Sequence, residues 1–214
     1  PAALVELLAR EAKLGPESVV VDIGSGTGLS SLPFLDAGYT VYGVEPNTPM
    51  RTAAEAALCG RFPARFHSVD GRAEATTLPD GCADLIVAGT AFHWFDVAAT
   101  GVEFRRIGKP GQTVVALFWN RRDDEASPFM AAYEELLLRH VPEYAGKRAI
   151  ERGRESETVR AFLGEGCREA HFPHTQLLDF DGLAGRVGSS SYVPAPGSAA
   201  FEDHPALNAF GCIN

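Results

Sequence analysis

The chain has 214 residues, 45% of them hydrophobic and 22% charged, the composition of one ordinary globular domain over 1–214 that can bury a sizeable core. Its formal net charge of −9 excludes the basic footprint that a nucleic-acid partner requires. No apolar run approaches the ~20 residues of a membrane span, so none is expected.

Near the start, Leu4, Val5, Leu7, Leu8, Ala12 and Leu14 keep helical spacing, and Gly15-Pro16 closes that helix. Residues 18–23 read as a first strand. A helix follows the glycine turn at Gly24–Gly28, from near Ser30 to Ala37, with Pro33 tolerated in its first turn and Gly38 as its stop. Tyr39 to Glu45 is a second strand. Asn47 or Thr48 then caps a helix with Pro49 in its first turn and an Ala-rich body to Leu58. Further strands are predicted over 65–69, 83–88 and 112–119.

Runs apolar on both faces belong to buried parallel strands joined by helical crossovers. The predicted fold is α/β, a doubly wound, mostly parallel sheet with helices on both faces. Its ligand crevice lies at the carboxyl ends of the first four strands. Pro128–His140 predicts an amphipathic helix and Ser156–Leu163 another, with a polar connection between them. Glu169–Leu178 predicts one more strand, and 188–214, rich in Ser, Pro, Ala and Gly, is a tail without an expected element.

The informative stretch is Val20-Val21-Asp22-Ile23-Gly24-Ser25-Gly26-Thr27-Gly28, with Glu45 ending the next apolar run. Strand, glycine turn, helix, strand and terminal acid describe a nucleotide-type βαβ unit, in which the acid accepts from ribose hydroxyls. The glycines fall as G-x-G-x-G, and Leu29 stands where a dinucleotide turn wants Gly or Ala. Asp22, two residues before the first glycine, would repel a pyrophosphate but attract an ammonium or sulfonium. S-adenosylmethionine carries both cations and no phosphate, so it is the expected cofactor, with S-adenosylhomocysteine as product.

Together these residues resemble the class I S-adenosylmethionine-dependent methyltransferases, in their small-molecule branch of ubiquinone/menaquinone-type and trans-aconitate-type enzymes. The resemblance rests on residues 20–28, on Val41-Tyr42-Gly43-Val44-Glu45-Pro46-Asn47, on 71–88, and on Ala91-Phe92-His93-Trp94-Phe95-Asp96. It implies a Rossmann-like methyltransferase fold in which Asp22, Gly24, Ser25 and Gly26 hold the methionine part and pass under the ribose. It places Glu45 on the ribose hydroxyls, Pro46 near the adenine, Ala73 and Glu74 at the adenine edge, and Thr90 and Ala91 at the methionine end. Many relatives have Asp where this chain has Arg72, which cannot accept a hydrogen bond, leaving adenine to backbone groups or to Asp70.

The expected reaction is methyl transfer to a small organic acceptor, driven mainly by alignment of donor and acceptor. His93 is the candidate general base; the other reading has His93 and Trp94 begin a helix and pack the cofactor floor. Phe92, Trp94, Asn120 and Arg121 are candidate acceptor contacts, and Asp96 reads equally as a helix N-cap. No metal is expected: His171 and His174, spaced i, i+3 on a strand, would face opposite ways. Arg105-Arg106 and Arg121-Arg122 read as solvated surface. A NAD(P)-linked oxidoreductase of Rossmann type and a cofactor-binding protein without turnover are the alternatives.

Cys59, Cys82, Cys167 and Cys212 form no C-x-x-C pair, which predicts reduced thiols and a cytoplasmic protein. The sequence opens at Pro1 rather than Met, without a basic-then-apolar leader pattern, so residues upstream are expected.

Overall fold

The computed structural model describes residues 1–120, 126–140, 144, 157–179, 181–183 and 185. Five strands, β1 (Val19–Ile23), β2 (Thr40–Val44), β3 (Phe66–Val69), β4 (Leu85–Gly89) and β5 (Val114–Phe118), form one sheet in the order β3-β2-β1-β4-β5. Every pairing is parallel, with Val44 beside Val69 and Val20 beside Leu85. Parallel neighbours cannot be joined by tight turns. Helix α2 (Leu32–Asp36) therefore links β1 to β2, α3 (Thr48–Leu58) links β2 to β3, and α4 (Val97–Ile107) links β4 to β5. The order reverses between β1 and β4, and the crevice opened at such a switch is where open α/β sheets take ligands.

Burial follows the two-residue period of the strands. In β1, Val20 joins Phe34, Leu35, Leu58 and the α1 (Ala2–Glu11) residues Val5 and Leu8 on one face. Val21 and Ile23 join Leu78, Phe104 and Ile107 on the other. A helix layer thus covers each face, and the apolar runs of the sequence are buried from both sides.

Local chemistry sets the helix starts. Asn47 accepts the Met50 amide at 3.1 Å and Asp96 accepts the Ala99 amide at 3.0 Å, so both are side-chain N-caps. Pro33 and Pro49 sit in first turns, where an amide proton has no helical partner to lose.

The chain divides into two compact units, residues 1–120 with 159–172, and 121–158 with 173–214. In the first, residues 159–163 are helical, and the Phe162 ring packs on Phe92 and Phe104 with centroids 5.0 and 5.7 Å away. In the second, α5 (Pro128–His140) occupies the predicted span, and the Tyr144 hydroxyl donates to Glu134 at 2.8 Å. Among the described residues no helix is long and apolar enough to cross a membrane.

The strand predicted over Glu169–Leu178 is corrected: residues 167–179 have no regular secondary structure, and most are exposed. A strand needs a neighbour to complete its backbone hydrogen bonds, and this segment pairs with none of the five. The tail 188–214 lies outside the described residues.

Candidate functional site

The carboxyl ends of β1 and β2 bring the predicted acid and the glycine turn together. Glu45, 7% exposed, accepts the Gly26 amide through Oε2 at 2.9 Å and the Asn47 amide through Oε1 at 2.8 Å. Each carboxylate oxygen has a second lone pair, so the group retains capacity for hydroxyl donors. The Gly24 and Ser25 amides both donate to the Val44 carbonyl, at 2.9 and 3.2 Å, closing the turn onto β2.

Two glycines are dictated by close approach. Gly24 has φ +67°, and a Cβ there would stand 2.6 Å from the Ala91 Cβ. Gly28 has φ +85°, and its Cβ would collide with the Leu58 side chain. Side-chain residues rarely adopt either backbone conformation. Gly26 is different, because its added Cβ would meet nothing nearer than the Met50 sulfur at 4.0 Å. That face of the turn has room for a ligand.

Asp22 is fully buried beneath the turn. Its Oδ2 accepts from Ser30 Oγ at 2.7 Å and Ser31 Oγ at 2.6 Å, while Oδ1 is buried without a partner. Burial raises its pKa from 3.8 to about 6, against the lowering by the Ser31 and Ser30 hydroxyls, and the Glu45 charge raises it further. An orphaned carboxylate oxygen is costly, and a cationic group placed beside it would recover that cost. The donor set therefore fits the ammonium-bearing ligand inferred from the sequence.

Across the switch point, Thr90 follows β4 at φ +56°, a conformation uncommon for a β-branched residue, and its amide donates to the Phe118 carbonyl at 2.9 Å. Ala91 is buried against Gly24. A 3-10 turn, Phe92–Trp94, leads to Asp96 and α4. Within it His93 is exposed, Trp94 is 77% exposed, and their rings lie 4.9 Å apart. The tight 3-10 turn, rather than α4, carries both residues and leaves their rings exposed. Phe92, offered as an acceptor contact, is instead 3% exposed and packs on Phe95 and Phe162.

The remaining candidates scatter around this rim. Ser25 and Ala73 are buried, while Pro46 and Asn120 are exposed. Glu74 accepts the Asp96 amide at 2.8 Å, so it braces the start of α4. Arg121 lies outside the described residues. Among those described, no group of three His, Cys, Asp or Glu is placed to hold a metal, and His171 pairs with Glu169 at 3.3 Å.

Sequence reasoning missed the supports. Arg51 donates to the Glu45 carbonyl at 2.8 Å and to Asp70 at 3.1 Å, tying the ends of β2 and β3 to α3. Its position one turn after the Asn47 cap was the available signal. Asp70, considered for adenine, is engaged by this guanidinium. Ser30 and Ser31 gave no signal, since a serine pair beside glycines reads as turn composition. Arg106 is not solvated surface: it pairs with Glu103 and Asp80, at 2.7 and 2.5 Å.

Residues 21–116 match the family described as the methyltransferase domain. An uncharacterized methyltransferase of Geobacillus sp. (strain WCH70) is 35% identical over 161 residues, 74% of this chain and 71% of that protein. A 2-methyl-6-phytyl-1,4-hydroquinone methyltransferase of Synechocystis sp. is 34% identical over 130 residues, 60% of this chain and 40% of that protein. A provisionally assigned type II methyltransferase structure from Anaeromyxobacter dehalogenans has a TM-score of 0.59 at 25% identity, covering 98% of this chain and 87% of that one. Several curated relatives are longer proteins, and the chain spans 41% of the mycobacterial ones it matches.

Proposed function

The chain belongs to the class I S-adenosylmethionine-dependent methyltransferases, and we propose that it transfers the methyl group of that cofactor to a small organic acceptor. The observation that carries the reading is the Glu45–Gly26 hydrogen bond, 2.9 Å long, beside the unpartnered Oδ1 of Asp22. One acid is poised toward ribose hydroxyls and the other toward a cation, and the open face of Gly26 lies between them in the chain.

When bound, S-adenosylmethionine supplies a sulfonium whose methyl carbon is already activated for in-line displacement. The protein's work is then alignment, which supplies up to ~7–11 kcal/mol of the barrier. Asp22 holds the ammonium end, Gly24, Ser25 and Gly26 carry the backbone under the ribose, and Glu45 takes its hydroxyls. Pro46, Ala73 and Glu74 border the adenine, and Thr90 and Ala91 the methionine end. His93, exposed on the 3-10 turn, takes a proton from an acceptor that must lose one, a contribution of ~10²–10⁴-fold. Trp94 and Asn120 face the acceptor, and the Synechocystis relative's hydroquinone supports a small organic molecule in that role.

Calorimetric titration with S-adenosylmethionine, S-adenosylhomocysteine and NADPH tests this. Binding of the first two and not the third is expected, followed by turnover with an acceptor. NADPH binding alone would overturn the reading in favour of an oxidoreductase; cofactor binding without turnover on any acceptor would favour a binding protein.

A further inference from the structure

The 3-10 turn Phe92–Trp94 carries His93 and Trp94, yet little within the turn holds it in place. Three residues of 3-10 helix make few hydrogen bonds, and those have poor geometry. The turn also follows Thr90, whose φ of +56° persists only where the surroundings over-determine it. His93 and Trp94 are exposed, so the anchor of the turn is Phe92, which is 3% exposed.

Two rings wall Phe92 in. Phe95 meets it edge-on with centroids 5.9 Å apart, and Phe162 tilts against it at 5.0 Å. Phe162 also meets Phe104 at 5.7 Å and lies over Gly101 of α4, its Cε2 3.5 Å from the Cβ position there. The row continues to the cofactor loop, because Phe95 Cε1 and Cζ stand 3.7 Å from the Cβ position of Gly24. Phe162, Phe92, Phe95 and Gly24 thus form one line of contact. Its far end lies outside residues 21–116, the part of the chain that the family match covers. Phe162 sits among the helical residues 159–163, and the Arg168–Glu11 ion pair ties the same segment to α1.

We propose that Phe162 is a positioning residue for the methyl-transfer site. Through Phe92 and Phe95 it holds the turn that bears His93 and Trp94 and, behind it, the Gly24 loop. Its role in a site rests on the methyl-transfer reading, whereas the bracing can be measured without it. Packed contacts couple two places only if a change at one end is felt at the other. Truncating the Phe162 ring leaves a void beside Phe92, and a turn with few bonds of its own relaxes into it.

The natural protein, Phe162→Ala, Phe162→Leu and Leu8→Ala are compared as whole chains. Leu8, 7% exposed on α1, is a buried control on the opposite face of the sheet. One readout is hydrogen exchange over residues 90–96, where the Thr90, Trp94, Phe95 and Asp96 amides are hydrogen-bonded. The other is calorimetric affinity for S-adenosylhomocysteine.

Phe162→Ala should speed exchange at that turn and weaken S-adenosylhomocysteine binding about fivefold to tenfold. Phe162→Leu, which refills much of the volume, should restore most of both. Leu8→Ala should lower the melting temperature and leave both readouts as they are. Unchanged exchange over 90–96 or unchanged affinity in Phe162→Ala, or equal changes in Leu8→Ala, would overturn the proposal. Should Phe162→Ala fail to fold, Phe162→Val takes its place on the same terms. If the natural protein does not bind S-adenosylhomocysteine, the methyl-transfer reading falls, and exchange over 90–96 alone decides the bracing.

Discussion

Glu45 accepts the backbone amide of Gly26 at 2.9 Å, so the acid and the glycine turn, nineteen residues apart, are joined within the protein itself. The same carboxylate accepts the Asn47 amide. It therefore shapes the turn as well as presenting lone pairs to a ligand, and substitutions there will move two readouts.

Glu45→Ala leaves two amides at a partly buried corner without their acceptor. We expect a stability loss of about 1–3 kcal/mol and at least tenfold weaker S-adenosylhomocysteine binding. Glu45→Gln, which keeps one acceptor oxygen, should fall between. Thermal melts and calorimetry on the three proteins check this. Unchanged affinity in Glu45→Ala would remove the residue from the site.

Asp22 makes stability and binding depend oppositely on pH. Its pKa is raised from 3.8 to about 6, so its contribution to stability is fully present below about pH 4 and is lost as pH rises through about 6. The window is worth about 3 kcal/mol for a shift of about two units in a fully buried group. A cationic ligand selects the ionised form, so S-adenosylhomocysteine should bind about tenfold more weakly per pH unit below 6, with proton release on binding. Asp22→Asn should flatten both profiles. Urea melts and titrations across pH 4–8 measure them.

Gly24→Ala places a methyl 2.6 Å from the Ala91 Cβ at a backbone φ of +67°. The expected cost is about 2–4 kcal/mol, part steric and part conformational. Adding Ala91→Gly relieves only the steric part, so the double variant should recover some stability. Absence of any recovery in thermal melts would show that Ala91 is not what the methyl strikes.

Arg51→Ala releases the Glu45 carbonyl and Asp70 together. Because the guanidinium holds two acceptors at once and an ammonium is a point donor, Arg51→Lys should rescue only in part. We expect severalfold weaker S-adenosylhomocysteine binding in Arg51→Ala, with kcat nearly unchanged once saturated. A loss confined to kcat would contradict a role in placing the cofactor loop.

Glu103 sits away from the rim, where Thr76 donates to it through its amide at 2.7 Å and its hydroxyl at 2.5 Å, and Arg106 pairs with it. The Arg106 guanidinium above all holds the Glu103 carboxyl down to about 2. Its stabilisation is therefore present above about pH 4.5 and lost as pH falls toward 2. Glu103→Ala leaves the buried Thr76 donors without their acceptor and Arg106 with Asp80 as its remaining carboxylate, for an expected loss of about 2–4 kcal/mol. Acid unfolding of this variant should be less steep over pH 2–4.5 than that of the natural protein.

The strand and helix order was legible because parallel strands are buried on both faces. Val20-Val21, Val41 and Leu85-Ile86-Val87 lie in short apolar runs between turn signals, and each is fully buried. The caps at Asn47 and Asp96 were legible because capping is local chemistry. The strand predicted over 169–178 failed because a segment read by itself supplies no pairing partner, and pairing is a tertiary fact.

The sequence by itself determined the βαβ unit and the spacing of Asp22, the glycines and Glu45, since these depend on backbone geometry and on contacts nearby in the chain. Tertiary structure alone decided what those residues touch. It set Ser30 and Ser31 on one oxygen of Asp22 and left the other orphaned, drew Arg51 onto the Glu45 carbonyl, buried Phe92 and turned Trp94 outward. The reason is that hydrogen-bond completion and burial are settled by what meets across the fold, and composition and periodicity along one chain do not record which side chains will meet.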